Sequence, residues 1–207
     1  VGAFDDAPEV EPADRGGWRA WLEANHHTAR GVWLISARPS SGRTTVDYEA
    51  AVEEALCFGW VDSRGGAVDD QRTKLYFAPR KPTSGWARPN KERVERLLAA
   101  GRMAPAGVAA IERAKANGSW TILDAVERLE VPPDLGAALD ERPPARANWD
   151  AFPRSARRAM LEWIVLARRD ETRARRIEDT ATAAQRNERV NERPAERSRG
   201  SASSEPG

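Results

Sequence analysis

The sequence predicts an α+β domain: a small antiparallel sheet packed with helices, followed by a helical C-terminal part. Three observations carry this. Runs rich in Val, Trp, Ile and Phe at 31–37, 60–64 and 74–78 read as three strands. Stretches with apolar residues at helical spacing lie before, between and after them. Beyond about residue 131 only the helical spacing continues, punctuated by Pro132-Pro133 and Pro143-Pro144. The expected divisions are a flexible lead-in at 1–15, an α+β domain at 16–130, a helical region at 131–184 and a disordered tail at 185–207.

The lead-in is acidic and proline-rich, with too little apolar area to order itself. From Gly17, Trp18, Trp21 and Leu22 fall on one helical face, and Asn25-His26-His27 closes that helix. GVWLISAR is the first strand, and Pro39–Gly42 a turn. Thr44, Thr45 and Asp47 open a second helix, with Glu49 near the positive end of its dipole. Tyr48, Ala51, Val52, Ala55, Leu56 and Phe58 share its apolar face, Glu54 lies at the flank and Gly59 stops it. WVDSR and KLYFAPR are the second and third strands, with turn chemistry in Gly65-Gly66 and Asp69-Asp70.

Asn90 is the expected cap of a helix bearing Val94, Leu97 and Leu98. Pro105 opens another, with Val108, Ile111 and Ala114 inward. A short helix around Ile122–Leu129 and a turn or two around Leu135–Leu139 follow. A helix from Pro153 buries Met160, Trp163 and Ile164. The last, from about Asp170, has little apolar surface beyond Ile177 and Ala181.

Composition bounds the function. The chain has 207 residues, 40% hydrophobic and 31% charged, with a net charge of +1, which argues against a whole-surface nucleic-acid binder. The cations are nearly all arginine. The single cysteine, Cys57, excludes an intrachain disulfide and suits a reducing, cytoplasmic setting. There is no CxxC, HExxH or Cys/His cluster, so neither a metal site nor a cofactor is expected. No apolar run approaches the ~20 residues that span a bilayer.

The polar residues at the junctions are the candidate ligand-binding set. Cys57 sits at the negative end of its helix dipole, which disfavours a thiolate nucleophile and leaves a structural cysteine. His26 caps a helix or serves a site. Glu54, at the edge of an apolar stripe, needs an arginine partner if buried, or acts as a base. Trp60, Asp62 and Arg64 alternate along one strand and are expected on one side, as an aromatic wall with an acceptor and a fork-shaped donor. In FAPRKPTSGWARPN, Arg80, Ser84, Trp86 and Asn90 precede a helix start, which suits an anion. Trp33 and Tyr48 complete the expected groove between the 48–58 helix, the Trp60 strand and the 80–90 loop. The C-terminal arginines are interspersed with acids and lack aromatics, so a solvated face is expected there.

The segments WLEANH, GVWL, YEAAVEEALCFGWVDSR, FAPRKPTSGW, NKERVERL and LEWIVLARRDETRARRI resemble the YdeI/OmpD-associated family, across roughly 17–180. The resemblance implies a soluble bacterial protein linked to bacteriocin protection or envelope stress. It carries over no catalytic residues. The reading is a binding or stress-protection protein with a small anionic ligand or a protein partner. The alternatives are an enzyme using the same groove, with Glu54 or Asp62 as base and His26 beside it, and a nucleic-acid accessory protein acting through the C-terminal helices.

Overall fold

The computed structural model describes Phe4 and residues 6–190. Contacts divide the chain into two units, which meet in sequence between Asp124 and Ala125. The first holds the sheet and the second is helical, so the α+β class is observed.

In the first unit the elements are β1 (Glu9–Val10), α1 (Arg15–Asn25), β2 (Val32–Ala37), α2 (Tyr48–Cys57), β3 (Trp60–Ala67), β4 (Arg72–Pro79), α3 (Arg88–Ala99) and α4 (Pro105–Ala116). The strand order is β1-β2-β4-β3. The β2/β4 and β4/β3 pairs are antiparallel. The β1/β2 pair is parallel, with Glu9 opposite Trp33 and Val10 opposite Leu34, so the sheet is not wholly antiparallel and part of the expected lead-in is a strand. Two backbone-paired residues need no apolar pattern of their own, because their neighbour supplies the bonds.

Caps mark the helix starts. Asp14 accepts from Gly17 N at 2.8 Å, which starts α1 two residues before Gly17. Asp47 accepts from Ala50 N at 2.7 Å and starts α2. Gly59, at φ +73°, ends the turn after α2, and a Cβ there would lie 3.2 Å from Ala106 O. At α3 the cap position is Ala87 with Pro89 in the first turn, so Asn90 lies inside the helix and is not its cap.

One sheet face packs on α1 and α2. Trp18, Leu22, Leu34, Ala55, Leu56, Trp60 and Phe77 form the centre of that core. Trp18 Nε1 donates to Ala51 O at 3.0 Å, so the largest buried side chain leaves no orphan polar atom. The opposite face holds a smaller cluster of Trp33, Ile35 and Tyr76. Tyr48, expected on the apolar face of α2, is 57% exposed, whereas Glu54 is wholly buried.

The second unit contains α6 (Pro133–Asp140), α7 (Ala145–Ala151), α8 (Arg154–Val165) and α9 (Asp170–Gln185), after the one-turn α5 (Asp124–Glu127). Its core includes Leu135, Leu139, Trp149, Met160, Ile164 and Ala181. The α7 helix, with Trp149 fully buried, is absent from the sequence expectations. Small residues compensate for the sparse apolar pattern of α9: Thr180, Ala181, Ala183 and Ala184 are buried beside Ile177. The expected tail at 185–207 lies mostly outside the described residues. No helix among the described residues is long and apolar enough to cross a membrane.

Candidate functional site

Glu54 is a wholly buried carboxyl of the first unit. Its Oε1 accepts from Arg15 Nε at 2.5 Å and from Arg102 Nη2, and its Oε2 accepts from Arg19 Nη1 at 2.9 Å. Arg15 reaches on to Glu53 at 2.8 Å and Arg19 to Glu23 at 3.1 Å. Burial works against the charges of Arg15 and Arg19, but their bonds to these carboxylates outweigh it and hold both guanidiniums above their ordinary range. A carboxylate wholly buried among three guanidiniums presents no exposed oxygen to a substrate proton. Glu54 is a staple joining α1, α2 and the turn after α3, and not a base.

The other catalytic candidates are equally occupied. His26 Nδ1 donates to Leu22 O at 2.8 Å, and its ring stacks near His27 and Phe58. Cys57 is fully buried; desolvation first, then the charge of Glu54, pushes its thiol up. Glu54, Asp62 and His26 share no partner, so the carboxylate-and-histidine constellation does not assemble. Among the described residues no group of three His, Cys, Asp or Glu side chains could hold a metal ion.

The strand reading of Trp60, Asp62 and Arg64 is corrected by a β-bulge. Asp62 pairs with Phe77 and Gly65 with Leu75, so Ser63 and Arg64 together oppose Tyr76. The extra residue breaks the two-residue alternation. Asp62 stays on the helix-covered face and accepts from Tyr48 Oη at 3.2 Å. Arg64 turns to the other face, where its guanidinium lies 5.7 Å from the Phe4 ring. Trp33 belongs to that face too, with Lys74 Nζ 4.7 Å above its ring. Gly65 and Gly66 belong to the strand, leaving Asp69 alone to build the turn by accepting from Gln71 N.

The 80–90 loop is packed inward. Trp60 and Trp86 are buried in the same apolar core, so the groove expected between them is filled with hydrocarbon. Arg80 is 8% exposed. Its guanidinium lies 3.9 Å over the Trp86 ring and its Nη2 donates to Gly85 O at 2.6 Å. Asn90 accepts from Arg93 Nη1 at 3.0 Å, and Arg93 forks onto Glu49. Ser84 N donates to Lys81 O, closing a turn.

An open cavity exists elsewhere on the helix-covered face, between the first turn of α2, the loop before it and strands β2, β3 and β4. It measures about 710 Å³. Leu34, Leu75, Val46 and Ala51 give it an apolar floor and side, and Ser36, Thr44 and Thr73 give it a hydroxyl rim. Tyr48 lines it, the one residue of the expected set that does. The cavity residues carry no motif; the only signal for them was glycine inside a strand pattern, which marks places where a ligand or another backbone approaches closely. A smaller cavity of about 390 Å³ lies on the opposite face, bounded by Phe4, Trp33, Arg64 and Lys74.

The comparisons divide the chain much as its contacts do. Residues 10–110 match a family described as Domain of unknown function (DUF8412). Residues 128–187 match the family described as Bacteriocin-protection, YdeI or OmpD-Associated. Residues 128–187 are a YdeI/OmpD-associated domain. Of the segments that carried the resemblance, LEWIVLARRDETRARRI lies in this domain, and the others fall at or near 10–110. No curated protein and no solved structure matches the chain. Within the YdeI/OmpD-associated domain several arginines pair with acids: Arg142 with Glu178, Arg146 with Asp140, Arg158 with Glu127 and Arg173 with Asp134.

Proposed function

We propose that the chain is a binding protein rather than a catalyst, and that the 710 Å³ cavity of the first unit seats a small molecule with an apolar body and hydrogen-bonding edges. The reading includes the bacterial, stress- or envelope-protective setting that the family resemblance implies, and the cytoplasmic setting expected from the sequence. The cavity carries it. Its volume lies within the range of small-ligand sites, its floor is apolar, and Ser36 and Thr44 present hydroxyls that bond to no described residue. Tyr48, joined to Asp62, stands at its wall.

Gly65 supplies the test. A Cβ there meets only Lys74 O at 3.7 Å and Leu75 Cδ1 at 3.8 Å, so a large side chain fits and extends over Leu75 into the cavity. The probe is 1-anilinonaphthalene-8-sulfonate, titrated by fluorescence into the full chain. One saturable site is expected, weakened at least tenfold in Gly65→Phe with unchanged far-UV circular dichroism. Dye binding of equal strength in the folded variant removes the proposal.

A further inference from the structure

Arg80 is a buried guanidinium without a carboxylate. Among the described residues its guanidinium donates to the Gly85 carbonyl and lies over the Trp86 ring, and its Nε is buried with no acceptor. Moving a charge out of water costs several kcal/mol unless it is paired. A buried donor without an acceptor in an otherwise satisfied fold calls for an explanation, an unseen ion among them. The charge of Asp62 opposes the loss of charge, but Asp62 makes no ion pair with Arg80 and holds the Tyr48 hydroxyl instead. Desolvation accordingly pushes Arg80 down to about 10.

The same turn offers two more groups of matching chemistry. Among the described residues Lys81 makes no ion pair and the Ser84 hydroxyl has no partner. Pro79 and Pro82 bracket the stretch and remove backbone freedom. The Ser84 N–H to Lys81 carbonyl bond holds residues 81 and 84 close together. Elsewhere in this unit Arg72, Arg93 and Arg96 find carboxylates. At 80–84 two successive cations find none among the described residues.

We infer that the turn from Pro79 to Trp86 is the seat of a small oxyanion of the phosphate type, which accepts from Arg80 and Ser84 and is neutralised jointly by Arg80 and Lys81. Two cations and a hydroxyl favour a dianion over chloride. This site is separate from the cavity and does not rest on the reading given for it. The π-face of Trp86 beneath the guanidinium makes the event visible as a change in tryptophan emission.

The experiment titrates the full chain with inorganic phosphate, against sodium chloride at matched ionic strength, and follows tryptophan fluorescence. A saturable response to phosphate alone is expected. The apparent Kd should rise at least tenfold in the double variant Lys81→Ala, Ser84→Ala, and the response should vanish in Arg80→Met. Absence of a saturable phosphate response in the unaltered chain overturns the inference. So does an unchanged Kd in either variant. Should Arg80→Met fail to fold by circular dichroism, the double variant decides alone, because its two side chains lie in a surface turn.

Discussion

Substituting Glu54 by Gln replaces one oxygen by nitrogen and leaves the shape intact, so its effect isolates the charge. In the folded chain the carboxylate faces Arg15, Arg19 and Arg102 with no exposure of its own. Gln leaves three guanidiniums converging on a neutral amide whose NH2 points at one of them. Removing one partner of a buried pair costs about 3–5 kcal/mol. The three arginines are each about a third exposed, at 34%, 31% and 37%, and solvent screens part of that penalty. Discounted for this, the expected loss is about 2–4 kcal/mol. At roughly 4 °C per kcal/mol for a unit of this size, that lowers the midpoint by about 8–16 °C.

Urea denaturation with tryptophan fluorescence measures it: the midpoint should fall with the slope unchanged. In a double-mutant cycle, Arg102→Met in the Glu54→Gln background should cost far less than in the unaltered chain, because the second cation then repels its neighbours with nothing to hold it. A loss under about 0.5 kcal/mol for Glu54→Gln would refute the staple. Full stability joined to loss of a measurable activity would reinstate Glu54 as a base.

Further outcomes follow from single contacts. Gly107→Ala places a Cβ 2.2 Å from Cys57 O and 2.7 Å from Cys57 C, both backbone atoms, so α4 must move away from α2; a loss of at least about 1–3 kcal/mol is expected by thermal melting, and a neutral result contradicts that packing. Burial, then Glu54, holds the Cys57 thiol above its ordinary value, so the folded pKa exceeds the unfolded one. Its contribution to stability is therefore intact below the unfolded value of about 8.5 and is lost as pH rises through the folded one. A thiol reagent at pH 8 should label the chain only in denaturant; labelling of the folded chain at the rate of a free thiol contradicts this. The bond from Arg93, with its charge, holds the Glu49 carboxyl below the usual carboxylate range. Arg93→Ala should return it upward in an NMR titration, and an unmoved value would show that the fork in the structure is not formed in solution.

Much of the fold was readable from local chemistry. Strand runs at 31–37, 60–64 and 74–78, the helix from 48 and its glycine stop at Gly59 follow from periodicity and backbone preference, properties of neighbours in the chain. The demand that a buried Glu54 find arginine was also local: a charge beside an apolar stripe needs a partner wherever it goes. Which arginines answer was not, since Arg15 and Arg102 lie 39 and 48 residues away. The candidate site was legible only in pieces. Tyr48 and Asp62 do meet, and Arg80 and Trp86 do meet, each on the helix-covered side of the sheet.

The remainder turned on geometry that no window of sequence contains. One extra residue at Ser63-Arg64 reverses the side of everything after it, because side chains alternate strictly along a regular strand. Arg64 thereby left the set, Trp33 on β2 faces the same opposite side, and Trp60 and Trp86 went into the core because the packing of α2, α3 and the sheet closed over them. The open cavity arose where the first turn of α2 and the loop before it meet β2 and β4. By itself the sequence determined the class, the element types and the residues that needed partners, since these depend on nearby chemistry. Which partners met, which face each side chain took and where space was left over were decided by the tertiary structure, since these depend on distant segments arriving together.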